Sequence, residues 1–148
     1  MTDILLETSI SPAYGQIVVK DDALAVDVPD FYALEVTGEE AVVASSQVIH
    51  VFTIPDHVGD VRVCVTRTPP SLEDGARLVL DQSMNFSSGR LAVTTVEFPN
   101  PGESDAVVQL GVPGWIRTRV YVAGAERPTR GQNEGTDQPD RVWVVIGG

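Results

Sequence analysis

The sequence predicts an all-β fold, a two-sheet antiparallel β-sandwich of about eight to nine strands. Three observations point there. Short runs of β-branched and apolar residues recur along the chain at near-regular spacing, broken by Gly, Pro, Asp and Ser. Several runs alternate apolar and polar residues, the period of a strand with one solvated face. Helical periodicity is scarce, and no repeat of solenoid or propeller length is present.

The predicted strands lie at 3–10, 14–20, 42–54, 60–67, 76–82, 90–98, 105–110, 115–123 and 141–147. In 115–123, Ile116, Thr118, Val120 and Val122 share one face and read as core, with Trp115, Arg117, Arg119 and Tyr121 opposite. Val61, Val63 and Val65 face inward against Arg62, Cys64 and Thr66. Val142, Val144 and Ile146 do the same against Arg141, Trp143 and Val145. Residues 33–45 could hold a turn of helix, although Gly38 and the valines oppose a long one. Ser87-Ser88-Gly89 reads as the tip of a hairpin joining 76–86 to 90–98. Pro55–Asp60, Pro99–Glu103 and Gly111–Gly114 read as turns or loops. Residues 124–140 are polar, with three Gly and two Pro, and are expected to form a flexible loop. The whole chain, 1–148, is expected to be one sandwich domain.

At 43% hydrophobic and 21% charged residues, the composition is that of a folded domain and not of a disordered chain. A domain of this length needs no disulfide or metal to hold its core. Cys64, the lone cysteine, reads as a small, partly buried apolar residue. The N-terminal residues lack the pattern of a secretion signal, and no apolar run reaches the roughly 20 residues of a membrane helix. A cytoplasmic location and no membrane contact are the expectation.

Net charge is −11, and residues 1–40 hold nine acids against Lys20 alone. The remaining 108 residues hold twelve acids and nine arginines. A field of this sign disfavours nucleic acid and would speed encounter with a basic partner protein. It would equally serve solubility.

No arrangement of residues signals chemistry. His50 and His57 lack partners at metal-ligand spacing. A triad drawn from Ser45 or Ser46, His50 and Asp56 has no nucleophile elbow. The adjacent pairs Asp21-Asp22 and Glu39-Glu40 point in opposite directions in extended chain, so both read as solvated surface. Asp27/Asp30 and Asp56/Asp60 fit a calcium loop only weakly. The expectation is therefore a non-enzymatic protein with no cofactor and no metal. Its candidate partner-binding residues form two groups. One is the acidic segment with embedded aromatics: Asp21, Asp22, Asp27, Asp30, Phe31, Tyr32 and Glu35. The other is the outward face of 115–123, Trp115, Arg117, Arg119 and Tyr121, with Trp143 beside it. Alternation leaves open that the tryptophans are core.

The run Glu7-Thr8-Ser9-Ile10-Ser11 leading through Tyr14-Gly15-Gln16 into a short strand resembles the opening of the competence protein J family. The acid-rich middle with its following hairpins is similar to that family. So is the ending, where a strand bearing Tyr121 leads to a polar loop and the terminal strand Arg141–Ile146. The resemblance implies an acidic, cytoplasmic inhibitor that binds a DNA-entry nuclease by occluding its basic cleft, and it carries over no functional residue. Two other roles fit the same composition: a structural subunit of a bacterial or phage assembly, and a calcium- or carbohydrate-binding module.

Overall fold

A computed structural model describes residues 3–12, 16–23, 42–54, 59–71, 73, 75–95, 106–124 and 139–147. The chain order is β1 (Ile4–Ile10), β2 (Gln16–Asp21), β3 (Val42–Ala44), β4 (Val48–Phe52), β5 (Val61–Thr66), β6 (Arg77–Phe86), β7 (Arg90–Thr94), β8 (Ala106–Gln109), β9 (Gly114–Gly124) and β10 (Pro139–Ile146). These form two five-stranded sheets. Sheet A runs β1-β5-β10-β9-β6 and sheet B runs β3-β4-β2-β7-β8. The two-sheet all-β architecture is the one the sequence predicts.

The core lies between the sheets and comes from alternate residues of each. Sheet A contributes Val61, Val63 and Val65, then Val142, Val144 and Ile146, then Val120 and Val122, with Met84 and Phe86 at β6. Sheet B contributes Ile17 and Val19, Ile49 and Val51, Leu91 and Val93, and Ala106 and Val108. The inward assignments for β5, β9 and β10 agree with the structure, where Thr118, Val120 and Val122 are fully buried and Ile116 half-buried.

Four local expectations differ from the structure. The predicted strand 42–54 is two strands, because the chain turns at Ser45-Ser46-Gln47, where the Ser45 N–H bonds to the Val48 carbonyl at 2.9 Å. That raises the count to ten strands among the described residues. It also places Val42–Ala44 in a strand and not in a helical turn; residues 33–41 lie outside the described residues. Sheet A is not wholly antiparallel, since β10 runs parallel to β5, with Val142 opposite Val63 and Val144 opposite Val65. Finally, Ser87-Ser88-Gly89 is a turn but not a hairpin tip. The Gly89 N–H closes it on the Phe86 carbonyl at 2.9 Å, with Gly89 at φ +74°. The strands it joins belong to different sheets, so it carries the chain across the sandwich. The Gly111–Gly114 turn carries the chain back, from β8 to β9. The two crossings touch, with the Leu110 N–H donating to the Gly89 carbonyl at 2.8 Å.

The two ends of the predicted loop 124–140 are strand: Gly124 ends β9, and Pro139 and Asp140 open β10. Residues 125–138, 55–58 and 96–105 lie outside the described residues. No helix among the described residues is long and apolar enough to cross a membrane.

Candidate functional site

The acidic candidates divide. Asp21 ends β2 and Asp22 follows it; they are 1% and 8% exposed, so the reading of this pair as solvated surface is corrected. Asp21 holds the crossing between the sheets. Its carboxylate accepts from Ser87 Oγ at 2.7 Å, from Ser88 Oγ, and from the Ser88 N–H at 3.3 Å. Burial raises the Asp21 pKa, but the donors from Ser87, Ser88 and the Ala23 N–H outweigh it, and the net is below the usual carboxylate range. Asp22 accepts from Arg90 Nε at 3.0 Å and so ties the end of β2 to the start of β7. Both carboxylates are turned inward to scaffold partners that the sequence does not place beside them. Asp27, Asp30, Phe31, Tyr32 and Glu35 lie outside the described residues, as do Glu39 and Glu40.

The middle of the outer face of sheet B carries a second set of polar groups, and these are buried. Gln16, Val18 and Lys20 of β2 are all buried, as is His50 of β4. Lys20 Nζ donates to the Asp22 carbonyl at 3.4 Å. His50 Nδ1 bonds to Gln16 Oε1 at 3.0 Å, and burial pushes the imidazole down to about 4. This histidine sits in a strand, hydrogen-bonded and neutral. Ser45 and Ser46 lie in the turn before β4, while His57 and Asp56 lie outside the described residues. Among the described residues no three His, Cys, Asp or Glu side chains gather to hold a metal ion.

The outer face of sheet A is open over much of its extent, with Val145 and Thr66 buried within it, and strand register lays it out in rows. Arg62 of β5 stands opposite Arg141 of β10. The next row runs Glu7, Cys64, Trp143, Tyr121 and Leu78 across β1, β5, β10, β9 and β6. A third row runs Thr66, Val145, Arg119 and Asp81. Beyond it lie Arg117 opposite Ser83, and Trp115 opposite Asn85. All four β9 candidates therefore share one face. Trp115 is 65% exposed, which excludes it from the core. Arg117 is exposed, and Arg119, Tyr121 and Trp143 are half-buried.

Charge on this face is organised in pairs. Arg117 grips Asp81 with two bonds, Nε at 3.0 Å and Nη2 at 2.8 Å. That hydrogen bonding holds the Asp81 carboxyl below its usual range. Arg119, which stands opposite Asp81, donates instead to the Gly147 carbonyl at 3.3 Å. Arg62 meets Glu7 at 3.4 Å. Arg141 lies 5.6 Å from the Trp143 ring centroid, a cation–π contact, and 3.9 Å from Asp140. A shallow cavity of about 230 Å³ opens between Glu7, Arg62, Cys64, Arg141 and Trp143. Cys64 in its wall is a poor nucleophile. Burial, with Glu7 adding to it and Arg62 opposing, pushes its thiol pKa up.

Sequence reasoning found the β9 face and Trp143. It did not place Arg62, Glu7 and Arg141 there, because they join it only through the β1-β5-β10 pairing. Alternation in each strand was the available signal.

No family model matches the chain, and no curated protein matches it. Two solved structures are similar. The crystal structure of ComJ, inhibitor of the DNA degrading activity of NucA, from Bacillus subtilis is 11% identical. The match covers 100% of this chain and 98% of that one at a TM-score of 0.67. A protein described as crocagin biosynthetic gene J is 16% identical, with 95% and 94% of the two chains covered and a TM-score of 0.51. The resemblance to the competence protein J family that the sequence suggests is thus a likeness of fold, running the length of both chains.

Proposed function

We propose that this chain is a non-enzymatic protein that binds and neutralises a partner protein, in the manner of a nuclease inhibitor acting in the cytoplasm. The observation that carries this reading is the end-to-end correspondence of its fold with that of a nuclease inhibitor. The open face of sheet A adds to it. Tryptophan, tyrosine and arginine are the residues that dominate binding energy at protein interfaces, and this face presents all three. The net charge of −11 supports long-range attraction of a basic partner, with Asp27, Asp30, Phe31, Tyr32 and Glu35 as its proposed acidic contact segment.

The test is titration of the purified chain against a basic DNA-degrading nuclease, the one encoded nearest its gene being the first choice. DNA cleavage should fall to zero near stoichiometric amounts, and the association rate should drop as salt rises. Undiminished cleavage with the chain in excess refutes the inhibitor reading. Inhibition that is indifferent to salt removes the electrostatic part of it.

A further inference from the structure

We infer that the turn Gly111–Gly114, together with Trp115, is the wedge by which this chain enters its partner, and that it is received by an uncharged apolar pocket on the partner protein. The inference rests on the reading of the chain as a protein that binds and neutralises another, and it adds the surface and the chemistry of the hollow that takes it.

The first ground is exposure. Four large hydrophobic residues among the described ones stand open to water, and two of them, Val112 at 70% and Trp115 at 65%, belong to this one turn and the residue after it. Pro113 between them is exposed as well. Single exposed hydrophobic residues are ordinary, whereas a cluster of them marks a contact site. The sequence here is also free of charge. Residues 106–116 hold no Asp, Glu, Lys or Arg, in a chain where 21% of residues are charged.

The second ground is rigidity. Leu110 before the turn is buried, and Ile116 after it packs on the core. Gly114 stands opposite the fully buried Phe86. The Leu110 N–H donates to the Gly89 carbonyl at 2.8 Å, and a Cβ placed on Gly89 would lie 3.6 Å from the Pro113 nitrogen, so the two crossings pack against each other. The Pro113 ring fixes its own φ. A tip held in this way has little conformational freedom left to lose on docking, which is how a protruding loop gains affinity.

The third ground is the setting. Asn85 stands opposite Trp115, and its N–H donates to the Ser46 carbonyl at 2.7 Å, which brings the Ser45-Ser46-Gln47 turn alongside. Ser45, Ser46 and Ser87 are exposed, while Asp21, the carboxylate that Ser87 and Ser88 bond to, is 1% exposed. An apolar centre with a rim of hydrogen-bonding groups is the anatomy of a protein–protein contact. Tryptophan is among the side chains most enriched at the energetic centre of such contacts.

Two other occupants fit less well. Lipid surfaces are bound by apolar residues backed by Lys and Arg, and residues 106–116 hold neither, on a chain of net charge −11. A second copy would need a hollow to receive the tip. The cavity on sheet A is lined in part by Glu7, Arg62 and Arg141, ionic groups whose desolvation an apolar wedge does not offset. A tryptophan buries roughly 150–250 Å², far short of the roughly 1,200 Å² at which stable interfaces begin. The tip therefore anchors a contact that the rest of the surfaces must complete. Two chains of net charge −11 repel each other there, whereas a basic partner is drawn in.

The nuclease titration, repeated with substitutions at the tip, is the test. Val112→Ser and Trp115→Ser should each weaken inhibition by about tenfold or more, while Val112→Ile and Trp115→Phe, which keep the tip apolar, should stay within about threefold of the native chain. Pro69→Ser, the loss of an exposed apolar residue in the connection after β5, should leave inhibition within about twofold. Circular dichroism verifies that each variant is folded. Trp115 emission, taken as the difference between the chain and Trp115→Phe, should shift to the blue when the nuclease is added. It should not move with phosphatidylcholine vesicles or with the concentration of the chain alone. Inhibition untouched by the two serine variants at the tip refutes the wedge and leaves the inhibitor reading standing. An equal loss in Val112→Ile, Trp115→Phe or Pro69→Ser, a blue shift with vesicles, or self-association that depends on Val112 overturns the apolar pocket as the occupant. Undiminished cleavage with the native chain in excess refutes the inhibitor reading, and the wedge falls with it.

Discussion

The two outward faces of the sandwich carry similar residue types and opposite fates. Sheet A turns Arg62, Arg117, Trp115 and Trp143 outward, and these stay wholly or partly open to solvent. Sheet B turns Gln16, Lys20 and His50 outward, and all three are buried. A polar residue at every second position therefore specifies which side of a sheet it occupies, and not whether water reaches that side. The open face can spend its polar groups on a partner. On the sealed face the polar groups must be satisfied internally, as the His50–Gln16 bond and the Lys20 contact with the Asp22 carbonyl illustrate.

The contrast can be broken by substitution, starting where the effect is largest. Phe86 is fully buried between the sheets at the end of β6. Phe86→Ala should cost about 3–5 kcal/mol in urea denaturation, and a loss below about 1 kcal/mol would mean that the core is loosely packed there. The sealed face should next reveal itself by pH. The folded-state pKa of His50 is depressed to about 4 against 6.5 in the open chain. Stability from this group is then complete above the unfolded value and drains away as pH falls from about 6.5 through about 4. The loss should be on the order of 3 kcal/mol, and it should vanish in His50→Asn. A flat profile across that window would place His50 in water.

Asp21→Asn keeps the shape but weakens the acceptor for Ser87 and Ser88. It should cost about 2 kcal/mol and shift the remaining acid sensitivity, since a carboxyl held below its usual range gives stability that disappears as pH falls through its folded value, below about 4. At the small end, Trp115→Ala should change stability by no more than about 0.5 kcal/mol while weakening partner capture. A large loss of stability there would show that Trp115 serves the fold.

Much of this was legible in the sequence, and the rest failed for identifiable reasons. Val61, Val63 and Val65 gave β5 its inner face, and Trp115 to Tyr121 gave β9 its outer one, because a period of two is a local property. The Ser87-Ser88-Gly89 turn was legible as a turn, yet whether the strands around it pair or part depends on which sheet each joins. Local turn chemistry does not encode that. Asp21 and Asp22 read as surface because carboxylates seldom bury without partners, and their partners Ser87, Ser88 and Arg90 lie more than sixty residues away. The Arg62–Arg141 pair depends on a parallel pairing between two strands that are distant in sequence, which alternation in either strand does not report.

That parallel pairing also dictates when the molecule can assemble. β10 is the last of the described strands in chain order, yet it lies at the middle of sheet A between β5 and β9. During synthesis the β1–β5 and β6–β9 ribbons emerge as separate two-stranded pieces, each too small to stand alone in water. The ribosome must release β10 before the keystone drops in and joins them. The pairings of β10 with β5 and with β9 wait for that moment, and non-local pairings of this kind are intrinsically slow to form.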